Sequence, residues 1–346
     1  MIFGPIATAG ILALALTPLA RAVALRFHVV DLPENRKIHA HSVPLLGGIA
    51  VYLAVAATVL VWSAPLTRVT WGVIFGGGAL LGIGLVDDAR NVGSVKLALE
   101  FAIAAAVVST TGLSFHLPWP IVAHLLTILW IVGVVNAFNC LDCADGVAAG
   151  IGLVCGCAFL VLAVLTHQPV EVTLAAAIVG ASVGFLPFNL HPAKIFLGDA
   201  GSLTLGYFVA TLGVMVSPGI LSVPALAAKA VILAIPIYDI LFVHIRRYRR
   251  GQRRLGELLT STGKDHLPHR LMDRGLSHPA ATATITLAAA ATGVAGITLV
   301  TVHSAVGALT IAAAVAATIG ILEREWVAVV RRPRSGAAAA APSEGD

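Results

Sequence analysis

The chain has 346 residues, 58% of them hydrophobic and 11% charged, with a net charge of +5 and a mean hydropathy of +0.94. A soluble domain carries about 25% charged residues, so this chain cannot cover a water-facing surface, and a soluble enzyme, a disordered chain and a disulfide scaffold are excluded. The excess of Lys and Arg does not call for nucleic acid, because cytoplasmic loops of membrane proteins carry the same excess.

The first apolar run, Phe3–Ala20, has no basic stretch before it and reads as a transmembrane helix rather than a secretory signal. The loop after it, about 21–44, carries Arg36, Lys37, His39 and His41 ahead of the pair Gly47-Gly48. Cations followed by glycines can hold a phosphate, or can simply mark a positive loop and a glycine-rich helix start. The runs Leu45–Trp62 and Val69–Val86 lead to the loop 87–96, which opens on Asp87 and Asp88. Adjacent carboxylates repel unless a proton or cation relieves them. At a membrane surface Mg²⁺ is an economical cation, since it takes one or two carboxylates plus substrate phosphates. A solvated helix cap is the plainer alternative.

The runs Leu97–Leu113 and Trp119–Val135 precede NAFNCLDCADG, residues 136–146. Asn136 and Asn139, and likewise Asp142 and Asp145, are three apart and would share a face on a helix. The loop has no Lys or Arg to neutralise its acids. Cys140 and Cys143 have a zinc-like spacing, but no His pair or second Cys pair follows at finger spacing, so they read as small apolar residues.

The runs Val147–Leu165 and Val172–Leu186 bring the chain to the loop 187–202, which contains FNLHPAKIFLGDAGS. Asp199 lies between Gly198 and Ala200-Gly201, and small neighbours admit a ligand close to the backbone. A helix N-cap is the alternative for Asp199. Asn189, Lys194 and Phe196 are suited to hydrogen-bond, pair with or stack on a nucleotide. The runs Leu203–Val216 and Ile220–Val243 lead to the longest loop, 244–279. Its opening HIRRYRRGQRR reads as a lipid-headgroup contact and orientation signal. Further on, His266, His269 and Arg270 suit phosphate oxygens; a zinc reading of the two His lacks further ligands nearby. The runs Ala280–Val300 and Ala305–Leu322 are rich in small residues, which favours close helix packing. Residues 331–346 read as a disordered cytoplasmic tail.

The runs are continuous rather than alternating, which argues against an outer-membrane barrel. The expectation is an all-α, polytopic membrane protein with about 11 transmembrane helices, forming one transmembrane catalytic domain over residues 1–330. With alternating sides, 20 of the 22 Lys and Arg fall on one face. That face is then cytoplasmic, with the N-terminus outside and the C-terminus inside. The same face holds 14 of the 17 acids, which the positive-inside rule does not require. Glu100, Asp239 and Lys229 are the charges inside spans. A transporter would place its ionisable residues near the midplane; most acids here sit at cytoplasmic helix ends, which favours an enzyme.

The motifs RKIHAHSVPLLGG, GLVDD, NAFNCLDCADGVAAG, FNLHPAKIFLGDAGS and DHLPHRL stand in that order between Asp31 and about Ser277. Together they resemble the polyprenyl-phosphate N-acetylhexosamine-1-phosphate transferases, glycosyltransferase family 4, and within it most the N-acetylglucosaminyl branch. The muramoyl-pentapeptide branch is the alternative.

The resemblance implies a plasma-membrane enzyme acting at the cytoplasmic face, with Mg²⁺, or Mn²⁺ in its place. It would transfer N-acetylhexosamine-1-phosphate from a UDP-sugar to undecaprenyl or decaprenyl phosphate, releasing UMP, as the first membrane step of a cell-envelope polysaccharide. A homodimer is a family-level expectation. By the same resemblance Asp87, Asp88, Asp142, Asp145 and Asp199 are catalytic, and Asp88 and Asp199 bind the metal. Lys96, Asn139, Asn189, Lys194, Phe196, His266, His269 and Arg270 bind substrate, with Phe196 stacking on uracil. Two positions depart from the family pattern. Pro268 stands where His-x-His-His has its middle histidine, and Cys143 stands where Gly or Asn is usual.

Overall fold

The computed structural model describes residues 2–31, 42–90, 92–216, 223–252, 263, 265–301 and 305–330. Arg36, Lys37, His39, His41 and the expected 331–346 tail lie outside the described residues.

The described chain is all-α apart from one short antiparallel pair. Its helices are α1 (Phe3–Arg26), α2 (Gly47–Trp62), α3 (Arg68–Arg90), α4 (Ser94–Thr111), α5 (Pro120–Leu141), α6 (Val147–Leu165) and α7 (Pro169–Asn189). Then follow α8 (Gly198–Met215), α9 (Val223–Ile232), α10 (Ala234–Arg249), α11 (Leu267–Asp273), α12 (His278–Thr301) and α13 (Ala305–Val330). Strands β1 (Val30–Asp31) and β2 (Val43–Pro44) pair Val30 with Pro44 and Asp31 with Val43. The helix ends follow local rules. Pro120 and Pro169 open α5 and α7, where a missing N–H costs nothing. Gly112, at φ +73°, closes α4 in the left-handed conformation.

The described parts of the apolar runs fall on helices, but among the described residues fewer than eleven helices are long and apolar enough to cross a membrane alone. Seven helices are long and apolar enough to cross a membrane alone, and α9 with α10 makes an eighth if the pair counts as one. That pair is bent by 72° at a short break. The α2 helix has only 16 residues, and α8 opens on the polar stretch Gly198–Ser202. A composition count takes short apolar stretches as spans and does not see a bend.

The outer faces are apolar: Phe3 is 78% exposed, Ile121 76% and Leu287 70%. Such side chains are at ease outward only in a hydrocarbon solvent. In the middle stands α8, with 16 of its 18 residues buried. Close crossings rest on glycine. A Cβ on Gly180 would lie 2.2 Å from Ile6 O, and one on Gly184 2.3 Å from Gly10 O, so α1 and α7 pack backbone to backbone.

The chain's reversals bring one set of helix ends together. The C-terminal ends of α3, α5 and α7 and the N-terminal ends of α4, α8 and α12 meet through side-chain hydrogen bonds. The sequence-marked acids lie at this end of the bundle.

Candidate active site

Lys96, in the first turn of α4, is the hub of the site. Its Nζ lies 2.5 Å from Asp199 Oδ2, 2.8 Å from Asp87 Oδ2 and 3.4 Å from Asn139 Oδ1. Asn139 donates its amide to Asp199 Oδ1 at 2.9 Å and to Ser202 Oγ at 3.0 Å. One cation and one amide thus tie α3, α4, α5 and α8 at a single point. Asp87 Oδ1 also accepts the Val92 N–H at 2.7 Å, which fixes the short turn between α3 and α4.

Asp88 points the other way along α8. Its two oxygens accept the N–H groups of Asp199 at 2.8 Å and Ala200 at 3.2 Å. The first turn of a helix has unpaired N–H groups and a partial positive charge, and a carboxylate answers both. Asp88 therefore caps α8 from another helix, while Asp199, one residue inside α8, is left free to face Lys96. Gly198 makes this possible. Its φ is +69°, and a Cβ there would lie 2.6 Å from Asp88 Oδ2. Gly198→Ala is expected to destabilise the protein by about 1–3 kcal/mol, the usual cost of a non-glycine residue in the left-handed region. It should also loosen the Asp88 cap; thermal unfolding in detergent, paired with turnover, reads both effects.

One turn deeper on α4, the Glu100 carboxylate, 2% exposed, accepts a hydrogen bond from Asn136 Nδ2. The equal spacing of Asn136 and Asn139 did place them on one face of α5, each reaching a carboxylate. The same reasoning fails for Asp142 and Asp145. Helix α5 ends at Leu141, and Gly146 turns the chain at φ +77° before α6 begins. The two acids therefore sit in a turn, where only Asp145 has side-chain partners among the described residues.

Asp142 makes no side-chain hydrogen bond among the described residues. Burial, then the charges of Asp199, Asp88 and Asp145, push its acid group well above the usual carboxylate range. A group whose folded value is raised holds its proton longer when folded, so stability falls as pH rises from the unfolded value through the folded one. Asp142→Asn is thus expected to raise the unfolding midpoint at neutral pH and to flatten its decline from acid to neutral pH. It should lower turnover by about tenfold or more, the scale of one hydrogen bond to a charged group.

Asp145 Oδ2 lies 2.8 Å from His191 Nδ1 and accepts the Ala193 N–H at 3.1 Å. Asn189, buried in the last turn of α7, accepts the Gly146 N–H at 3.2 Å and donates to Ile195 O at 3.0 Å. Its amide joins the 142–146 turn to the loop before α8. Phe196 in that loop is held by backbone bonds on both sides, its N–H to Pro44 O at 2.8 Å and its carbonyl to the Gly47 N–H at 3.0 Å. Lys194 is exposed, and its backbone carbonyl accepts Arg21 Nε at 3.2 Å.

His266 and Arg270 form a second cluster around a residue that sequence reading set aside as an intramembrane charge. Asp239, 0% exposed on α10, lies 2.8 Å from His266 Nδ1 and accepts the Leu267 N–H at 2.6 Å and Arg270 Nη2 at 3.2 Å. The Arg270 guanidinium also stacks 3.9 Å above the Phe242 ring. These two residues, expected to bind substrate, pair with Asp239 and dock α11 on α10. His269, between them in sequence, is partly exposed. Beside them Arg247 forks onto Asp265 at 2.7 and 3.0 Å. Against the pull of burial, this pairing holds the Asp265 acid group below its usual range. Cys140 and Cys143 are free thiols.

Comparison with known proteins fits this geometry. The pattern of glycosyl transferase family 4 matches residues 70–217. A Bacillus subtilis (strain 168) protein named "Probable undecaprenyl-phosphate N-acetylglucosaminyl 1-phosphate transferase" is 34% identical over 279 residues, covering 77% of this chain and 75% of the relative. The chain belongs to glycosyl transferase family 4. Other relatives in the family are the decaprenyl-phosphate N-acetylglucosaminephosphotransferase of Mycolicibacterium smegmatis, 31% identical over 78% of this chain and 75% of its own. The undecaprenyl-phosphate alpha-N-acetylglucosaminyl 1-phosphate transferase of Yersinia pestis is 27% identical over 80% of this chain and 79% of its own. The family 4 match encloses the Lys96 cluster, Asp142, Asp145, Asn189, Lys194 and Phe196; the Asp239 cluster lies beyond it.

Sequence reading missed Asp239 as the anchor of the histidine motif, Glu100 as the partner of Asn136, and His191 and His278 as partners of Asp145. For Asp239 there was a signal: a carboxylate kept inside a span needs a partner, and the next loop is rich in Arg and His.

Proposed function

We propose that this chain transfers N-acetylglucosamine-1-phosphate from UDP-N-acetylglucosamine to a polyprenyl phosphate, releasing UMP. The observation that carries the reading is the Lys96 cluster, where Asp87, Asp199 and Asn139 surround one ammonium at the end of a membrane bundle. A lipid phosphate and a water-soluble nucleotide can meet only at such an interface. The names of the family 4 relatives supply the sugar and the lipid class.

In the reaction an oxygen of the lipid phosphate forms a bond to the β-phosphorus of the donor. The bond from that phosphorus to the bridging oxygen breaks, and UMP leaves with the electron pair. The acceptor is already an ionised phosphate at neutral pH, so no general base is needed. Catalysis is positioning and charge neutralisation. Lys96 supplies a fixed cation to the transferring group. Asp87 acts as a charge organiser that holds Lys96, Asp88 holds the start of α8, and Asn139 orients Asp199. Asp142 is the carboxylate left to receive the nucleoside, and Phe196 offers its ring to uracil.

The donor set also fits the divalent metal that the family implies. Asp87, Asp88 and Asp199 offer oxygen only, which is what Mg²⁺ prefers, and the Asp199 side chain is 31% exposed. Asp199 and Asp88 would hold the ion, which when bound would neutralise the diphosphate. The lopsided placing of Lys and Arg supports a cytoplasmic face for this end of the bundle. A transporter reading loses its candidates, since Glu100, Asp239 and Lys229 are each engaged inside the protein, Lys229 with Val214 O at 3.4 Å. A panel of UDP-sugars with polyprenyl phosphate and Mg²⁺, scored by UMP release, tests the reading. The expected result is fastest release from UDP-N-acetylglucosamine and none without lipid acceptor; equal release without acceptor would overturn it.

A further inference from the structure

The structure assigns a second cation site, of different chemistry, to Asp145, His191 and His278. The three residues come from three segments: the 142–146 turn, the loop between α7 and α8, and the first residue of α12. One ligand atom from each lies within 4.8 Å of the others. Asp145 Oδ2 lies 2.8 Å from His191 Nδ1. Asp145 Oδ1 faces His278 Nε2 at 3.9 Å, too far for a hydrogen bond. Ligand atoms around one ion, each about 2.0–2.2 Å from it, stand roughly 3–3.5 Å from one another. The trio is therefore spaced for an ion with small side-chain shifts.

The protonation pattern suits the same occupant. His278 Nε2 accepts the Asp145 backbone N–H at 3.4 Å, so that nitrogen is the unprotonated one, and an ion would take its lone pair in exchange for this long hydrogen bond. The two rings stack with centroids 4.4 Å apart and planes at 21°, both facing one carboxylate. A dication binding here would displace the proton shared by His191 Nδ1 and Asp145 Oδ2, and would take one nitrogen from each ring and one carboxylate oxygen. Exposure differs around the trio: the Asp145 side chain is 12% exposed and that of His278 8%, while His191 is 40% exposed. The ion has three protein ligands from an ordered floor and one open side, where water or a ligand oxygen completes its shell.

Two imidazoles and one carboxylate select a borderline transition-metal dication, Zn²⁺ or its Co²⁺ surrogate, over Mg²⁺, which prefers oxygen. The ion pins the 142–146 turn, the loop before α8 and the start of α12 together. Asn189 and Thr282 already tie the same turn, through Gly146 N–H and Asp145 O. This site does not depend on the proposed transferase activity, and its test does not read that activity.

The purified full chain, stripped with chelator, is dialysed against Zn²⁺ or Co²⁺ in the presence of about thousand-fold excess Mg²⁺. The expected result is one Zn²⁺ per chain that resists Mg²⁺, with visible absorption for Co²⁺. His191→Ala, a change at an exposed position, should weaken binding by at least about tenfold, the usual scale for a disturbed site. The His191→Ala, His278→Ala double variant should bind one Zn²⁺ fewer than the parent. Equal Zn²⁺ content in parent and double variant, or no Zn²⁺ retained by the parent, would overturn the assignment.

Discussion

Asp199→Asn lowers kcat by about a thousandfold or more while the protein keeps its fold, as measured by UMP release beside an unfolding curve in detergent. Removing one preorganised electrostatic contact from a transition state costs about 10²–10³ in kcat, and Asp199 serves several contacts. Its Oδ2 meets Lys96 at 2.5 Å and its Oδ1 takes the Asn139 amide at 2.9 Å. An Asn side chain keeps one acceptor but no charge, so Lys96 swings wholly to Asp87 and the proposed metal loses a ligand. The fold survives because Lys96 retains Asp87 at 2.8 Å and the cap on α8 comes from Asp88. Asp88→Asn is the informative contrast. Asp88 uses both oxygens on backbone N–H groups, and an amide offers one acceptor and turns an NH₂ toward a donor. That variant should lose stability as well as turnover, by about 1–3 kcal/mol, the cost of an unsatisfied buried donor. Wild-type turnover in Asp199→Asn would remove the residue from the site.

Asp239→Ala should be the most destabilising single change, by about 3–5 kcal/mol, because it leaves the buried Arg270 guanidinium without its carboxylate and His266 without its hydrogen-bond partner. Arg270 is 3% exposed and His266 6%, and both turn toward this one side chain. The Leu267 N–H at the start of α11 would lose its acceptor as well. The expected readout is a large fall in the thermal midpoint, with Asp239→Asn, which keeps one acceptor, falling less. Equal midpoints for Asp239→Ala and the parent would show that the histidine motif is held by something other than this carboxylate.

The division between what was readable and what was not follows chain distance. Asp87, Asp88, Asn139 and Asp199 announced themselves through their near neighbours: a doubled acid, a helical spacing, a small residue on either side. Their organiser, Lys96, was visible only through family resemblance, because two of its three partners lie 43 and 103 residues away on other helices. His191 and His278 reach Asp145 across 46 and 133 residues, and no local pattern marks either. Spacing misled where a helix stopped. Asp142 and Asp145 would share a face only if α5 ran past Leu141, and the left-handed Gly146 shows that it does not. Apolar runs located the helices well and the spans less well: the 72° bend between α9 and α10 falls inside the single run Ile220–Val243, where continuous hydropathy gives no sign of it. Asp239 was legible as costly and in need of a partner, but which residues of the following segment fold back onto it was not.

The central claim is that the phosphorus next to the sugar moves to the lipid at the Lys96 cluster. UDP-N-acetylglucosamine labelled at its β-phosphorus, incubated with the full chain, Mg²⁺ and polyprenyl phosphate, follows that atom directly. The account predicts label in the lipid fraction as polyprenyl-diphospho-N-acetylglucosamine, one UMP formed per lipid labelled, and neither product with Asp199→Asn. Label that stays with the nucleotide, or lipid that gains sugar without the labelled phosphorus, would contradict it.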